Sequence, residues 1–126
     1  MVVDSRQEQL ERRPASRADL RERVAAARRR VEEERLQTAR KLASRVADHL
    51  YAHYGARRVL LFGSVASGHL HEHSDIDLFV EGLLGDYWRA VAEAQRLAAP
   101  FPVNLVCAED AVPSLRDRVR REGRLL

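Results

Sequence analysis

Phe62–Phe79 reads FGSVASGHLHEHSDIDLF, and the spacing of its small and acidic residues decides the fold. Asp75 and Asp77 sit one residue apart in DIDLFV, an alternating run that predicts a strand over residues 75–80. Successive strand side chains point to opposite faces, so the two carboxylates share one face and Ile76 and Leu78 take the other. Carboxylates so placed repel each other unless a cation lies between them. Mg²⁺ or Mn²⁺ suits such all-oxygen ligands, and needs few protein donors when phosphates complete its shell. Upstream, Gly63 lets the backbone approach a phosphate closely and Ser64 adds a hydroxyl donor. Amides at the start of the helix that follows favour an anion, and Gly68 ends that short turn. A phosphate holder and a divalent-metal pair, joined by two adjacent strands, describe a nucleoside-triphosphate site.

On the N-terminal side, Val59–Phe62 is a short, wholly apolar run suited to a buried strand. Residues 1–13 read as a polar arm or short helix, and Pro14 breaks any helix there. Ser16 to Asp19 carries a capping signal, after which Arg17 to Tyr54 contains neither Gly nor Pro. This segment predicts one long helix or two shorter ones broken near Glu32–Arg35, with Gly55 as a left-handed stop. Leu36, Ala39, Ala43, Val46, Leu50 and Tyr54 form a broad apolar face expected to pack on the domain. Leu20, Val24, Ala27 and Val31 form a narrower stripe, too polar in its surroundings for a core. That half is expected to reach a partner or a second copy, although so few apolar positions do not define a coiled coil.

On the C-terminal side, Asp86 caps a helix over Tyr87–Ala99 closed by Pro100, and Pro102–Cys107 reads as a third strand. Pro113 opens a last helix that Gly123 stops. The fold class is therefore α/β (α+β): a small mixed sheet flanked by helices behind a long N-terminal helical extension. Residues 1–56 are assigned to the arm and extension, and 57–126 to the catalytic-type domain.

The totals agree with one small domain of 126 residues. No run approaches the ~20 apolar residues of a membrane span, and MVVDSRQEQLERR is no secretory signal. One cysteine, Cys107, forms no internal disulfide, which points to a reducing cytoplasm. The net charge of +3 is unevenly spread: residues 1–58 hold 15 Lys and Arg against 9 Asp and Glu, residues 59–126 hold 7 against 10. The basic half lacks aromatics between its arginines, so direct nucleic-acid binding is not expected.

GSVASG, five residues, then SDIDLFV resembles the signature of the DNA polymerase β-like nucleotidyltransferase superfamily. The short chain is most similar to its minimal nucleotidyltransferase (MNT, MntA-like) branch, over residues 59 to about 124. The resemblance implies that Gly63, Ser64 and Gly68 hold the triphosphate of ATP and that Asp75 and Asp77 bind Mg²⁺ or Mn²⁺. It implies transfer of AMP to a protein hydroxyl, with pyrophosphate leaving, and the role of an antitoxin acting on a HEPN-type ribonuclease toxin. No histidine here follows an arginine at the toxin's R-x4–6-H spacing, so that toxin is expected to be a separate chain.

The branch usually carries a third carboxylate on its later strand. The matching residues here are Val103-Asn104-Leu105-Val106. Asn104 is the residue at the third catalytic position; its carbonyl can ligate a metal but cannot serve as a base. The alternative function is thus a binding module that neutralises its partner by contact, with homo-oligomerisation through the long helix a further expectation. Glu81, Glu109 and Asp110 are other acids close by in sequence. His69, His71 and His73 read as a solvent-facing connection, His49 and His53 as helix-surface or packing residues, Cys107 as buried, and Tyr87 and Trp88 as packing a helix on the sheet.

Overall fold

The computed structural model describes residues 16–126. The polar arm and the helix break at Pro14 lie outside the described residues. The chain divides into two compact units, one reaching to Val31 and the other spanning Glu32–Leu126.

Helix α1 covers Arg17–Tyr54 as one helix. Ser16 Oγ accepts from the Asp19 amide at 3.2 Å while Asp19 Oδ2 accepts from the Ser16 amide at 3.3 Å. These reciprocal bonds satisfy two amides that a helix start leaves unpaired. The triple glutamate 32–34 does not break it, because glutamate is a good helix former. Gly55, at φ 59°, ends it.

In the second unit β1 (Arg58–Phe62) runs into the five-residue helix α2 (Gly63–Ser67). Strand β2 (Ile76–Glu81), helix α3 (Tyr87–Ala98) and strand β3 (Val103–Cys107) follow. A 3-10 turn over Ala108–Asp110 leads to helix α4 (Pro113–Glu122). Strand β4 (Arg124–Leu125), absent from the sequence expectation, closes the chain. The sheet order is β3-β2-β1-β4. β1 pairs antiparallel with β2 and with β4, and β2 pairs parallel with β3. Two residues carry too little alternation to announce a strand. β4 forms because Gly123 turns the chain back along β1, and the Leu126 amide donates to the Val59 carbonyl at 2.9 Å.

Both sheet faces are covered, which is why β1 is apolar at every position but its first. One face carries Val59, Leu61, Ile76, Leu78, Val80, Val103 and Leu105, packed with Ala39, Ala43, Val46, Ala47 and Leu50 of α1 and with Ala90, Ala94 and Ala98 of α3. Alanines at four-residue spacing let these helices lie close to the sheet. The other face carries Leu60, Phe62 and Phe79 under Val119 of α4. Asp77 pairs with Phe62 across β1 and with Asn104 across β3, so both polar side chains belong to this second face.

Tyr87 packs as expected, its hydroxyl donating to the Leu105 carbonyl at 2.6 Å. Trp88 does not: it is 75% exposed. The inward side of α3 is the Ala90–Ala94–Ala98 row, and Trp88 lies well around the helix from it.

Candidate active site

Gly63 starts α2 directly from the end of β1, with φ 74°. Its missing side chain matters as much as its φ. A Cβ on Gly63 would overlap Asp77 Oδ2 and come within 3.2 Å of the carboxyl carbon. The turn and the carboxylate are therefore in direct contact, and only glycine fits between them. Gly68, also left-handed, closes α2 with its amide on the Ser64 carbonyl.

Asp77 lies on β2, and Asp75 one residue before the strand begins. Asn104 joins them. Its Nδ2 donates to Asp75 Oδ2 at 3.1 Å and to Asp77 Oδ1 at 3.0 Å. One amide group thus sits where the two carboxylates converge. The carboxyl of Asp77 is held above the usual carboxylate range, chiefly by burial. The Asn104 hydrogen bond opposes that rise and the charge of Asp75 adds to it. Arg118 offsets the charge of Asp77 only weakly, as the smallest of these influences, and a divalent cation is the species that would relieve the half-buried pair. Two carboxylates with an amide that can turn its oxygen inward form an all-oxygen donor set that fits Mg²⁺ or Mn²⁺. Among the described residues no three His, Cys, Asp or Glu side chains gather as a metal-ligand group.

A groove of about 560 Å³ borders this cluster, with Phe62, Asp77, Asn104, Val106 and Leu115 among its walls. That volume falls in the range of small-molecule sites. A second cavity, about 370 Å³, lies at the far end of the same sheet face among Arg57, Arg58, Glu81, Glu109, Arg116 and Arg120. Within it Arg58 faces Glu81 at 3.7 Å, Glu109 accepts from the Gly82 amide, and Arg116 donates to the Ala108 carbonyl. Glu81 and Glu109 are therefore held away from the acid pair.

Positioning residues come from places that motif spacing does not reach. Arg40 of α1 donates to the carbonyls of Val65 and Ala66 at 3.1 Å each, fixing the C-terminal end of α2. Arg124 of β4 reaches the Ala66 carbonyl at 3.5 Å. Cations at a helix C-terminus are favourable, and here they orient the short helix that carries Gly63 and Ser64. Arg35 donates to the carbonyls of His71 and Glu72. Ser74, buried, exchanges bonds with His71: its Oγ accepts from the His71 amide at 2.8 Å and its amide donates to the His71 carbonyl. Together they fix the segment that delivers Asp75. The only sequence sign of Arg35 and Arg40 is that they flank the apolar face beginning at Leu36; nothing marks Arg124. His71 and His73 are exposed on this connection.

His49 and His53 are not equivalent. His53 is exposed, whereas His49 Nε2 lies 2.6 Å from Glu93 Oε2 of α3, which also accepts from the Tyr54 hydroxyl at 2.7 Å. His49 is thus part of a hydrogen-bond network rather than a mere surface group. Cys107 is half-buried, and burial pushes its thiol up, away from reactivity.

The polymerase beta nucleotidyltransferase family model matches residues 45–126. A solved structure assigned as a minimal nucleotidyltransferase is 35% identical, with a TM-score of 0.62, over 72% of this chain and 95% of that one. A chain from a variant of the MntA–HpeT toxin–antitoxin is 26% identical, with a TM-score of 0.55, over 66% of this chain and 69% of that one. A chain from the complex of a Shewanella oneidensis tri-AMPylated HEPN toxin with its MNT antitoxin shares the fold at 23% identity and a TM-score of 0.51, over 69% of this chain and 70% of that one. Among curated proteins none matches significantly.

Proposed function

Since the chain belongs to the polymerase beta nucleotidyltransferase family, we propose that it transfers a nucleotide, AMP from ATP, to a hydroxyl of a protein partner. The observation that carries this reading is the convergence of Asp75 and Asp77 on one point, marked by the shared Asn104 amide, against the Gly63 turn. In this reading Gly63, Ser64 and Gly68 shape the triphosphate seat, and Asp75 and Asp77 hold Mg²⁺ or Mn²⁺. The metal, when bound, would neutralise the triphosphate and the departing pyrophosphate. The acceptor oxygen forms a bond to the α-phosphorus as the bond from that phosphorus to the β-phosphate bridge breaks. The acceptor proton leaves to a carboxylate or to water, because neither atom of the Asn104 amide is basic.

The partner class follows from the company the fold keeps. The 26% identical chain comes from a toxin–antitoxin, which supports a toxin as partner and an antitoxin's role here. We assign that toxin to the HEPN type on the motif resemblance, as a separate chain. A cytoplasmic setting is part of the proposal. None of the described helices is long and apolar enough to cross a membrane.

A second reading has its own observation. Asn104 stands where the resemblance implies a carboxylate, and its amide already donates to both acids. A site satisfied in this way suits a module that neutralises its partner by contact alone. Asp77→Ala separates the two. An enzyme loses neutralisation while still binding its partner, and a contact inhibitor keeps both.

The nucleotide site itself is tested by thermal unfolding with Mg²⁺, ATP or both, on the natural sequence and on Asp75→Ala/Asp77→Ala. At ~100 times its dissociation constant a ligand stabilises by about 2.7 kcal/mol. A Mg²⁺-ATP shift absent from the double variant is expected. No shift in the natural protein would remove the transfer reading.

A further inference from the structure

The N-terminal unit carries a feature that the transfer reaction does not use. Leu20, Val24, Ala27 and Val31 follow one another at spacings of four, three and four in a continuous helix. At about 100° per residue they fall within an arc of about 60°. This is the core spacing of two coiled-coil heptads. None of the four is covered: Leu20 is 49% exposed, Val24 52% and Val31 62%, and Ala27 is exposed too. Apolar side chains scattered singly on a surface need no explanation, whereas a contiguous row of them marks an interaction surface.

The flanks of the stripe identify what fits it. Arg21 and Arg28 lie along one edge and Arg23 and Arg30 along the other, while Arg17, seven residues before Val24, ends the stripe on its N-terminal side. Across Arg17–Val31 there are six arginines against two carboxylates, Asp19 and Glu22. None of these arginines takes part in an ion pair among the described residues. In heptad terms all four positions bordering the core are arginine. A second copy of this helix, parallel or antiparallel, would set arginine against arginine along both edges. Like charges at those positions reject a partner. A nucleic-acid backbone would match the charge but leave the apolar stripe in water. An α-helix with an apolar stripe between two acidic edges satisfies both features.

We infer that Arg17–Val31 is a docking helix for a different protein, which presents an amphipathic helix with aliphatic core positions and Glu or Asp on both flanks. Apolar contact supplies the attraction, and the arginine edges choose the partner. The inference is independent of nucleotide transfer and holds whether or not the acid pair is active.

Fluorescence anisotropy on the full chain tests it. The probes are two synthetic helical peptides of about three heptads with leucine at the core positions, one with glutamate and one with lysine at the flanks, and a duplex oligoribonucleotide. The glutamate peptide is expected to bind at least about tenfold tighter than the lysine twin, less tightly as salt rises. Val24→Ser/Val31→Ser, which keeps helix propensity nearly unchanged, is expected to weaken it about tenfold, and Asp75→Ala/Asp77→Ala to leave it unchanged. Equal binding of the two peptides, or binding indifferent to the serine pair, overturns the inference. So does a dimer in sedimentation that the serine pair dissolves, which would make the occupant a second copy. Oligoribonucleotide binding that needs Arg28 and Arg30 but not Val24 and Val31 would make the helix a nucleic-acid surface and overturn it as well.

Discussion

Gly63 stands at φ 74° with Asp77 Oδ2 where its side chain would be. Gly63→Ala therefore meets two costs. A left-handed backbone strains a residue with a Cβ by about 1–2 kcal/mol, and the methyl must also displace a half-buried carboxylate. We expect about 2 kcal/mol or more of lost stability by urea unfolding, together with loss of any Mg²⁺-ATP shift. Ser67→Ala, four residues on and exposed, is expected to stay within about 0.5 kcal/mol; equal effects would show that the Gly63–Asp77 contact does not matter. Asp77 carries the opposite sign. Burial holds its carboxyl above the ordinary range, so its ionised form is a liability near neutral pH when no cation is bound. Asp77→Asn is expected to raise stability in the absence of metal by on the order of 1 kcal/mol while abolishing nucleotide-linked stabilisation. A destabilised variant would contradict that account. At Asn104, Asn104→Asp places a third carboxylate beside the pair. Transfer to the partner should rise if a base is limiting, and an unchanged or lower rate would assign the amide another role.

At the scale of the elements, α1 holds the acid pair's supports as well as the core. Its Arg35 and Arg40 reach carbonyls around Asp75 and α2, and Ala39, Ala43, Val46, Ala47, Leu50 and Tyr54 are buried. The family match likewise begins at residue 45, inside α1. A chain started at Glu32 is expected to unfold cooperatively. One started at Arg57 keeps every motif residue yet forfeits Val46 and Leu50, worth about 1.5–3 kcal/mol each, and is expected to be unfolded by circular dichroism. A folded 57–126 fragment would place the domain boundary after the helix instead. What could be read in advance follows the same physics. β1, β2, β3, α3 and α4 were legible because apolar runs, Asp86, Pro113 and the glycines are local signals. The convergence of Asp75, Asp77 and Asn104 on one face was legible only in part. Alternation places the first two together, while the third depends on the parallel register of β2 with β3. β4 and the guanidinium contacts around the site were not legible, since a two-residue strand has no period and the carbonyl partners of Arg35, Arg40 and Arg124 lie 25 or more positions away. Trp88 was misread because aromatic size argues for burial, whereas its angular place on α3 puts it outside.

At the scale of the whole folded unit, the second half of α1 and helix α3 cover the same sheet face and are tied by one polar knot. Glu93 accepts from His49 and Tyr54 and pairs with Arg89 at 3.2 Å. These contacts, His49 first and the Tyr54 hydroxyl next, bring the Glu93 carboxyl down from 4.5 to about 2. A carboxylate depressed in the folded state binds protons more readily once unfolded. Its contribution is therefore complete above about pH 4.5 and is lost as pH falls toward 2. Chemical unfolding followed from pH 6 down to pH 3 should show falling stability, and Glu93→Gln should be less stable at pH 6 with a shallower fall. The variant cannot lose a charge it lacks, so the gap between the two curves should narrow toward pH 3 and close only near pH 2. If they stay parallel, the acid sensitivity arises elsewhere and the knot does not hold α1 to α3 through its charge. Tyr54→Phe separates the contributions, because it removes one donor to Glu93 but leaves His49 and Arg89 in place. It is expected to lie between the natural protein and Glu93→Gln at pH 6, and to reach the same acid limit.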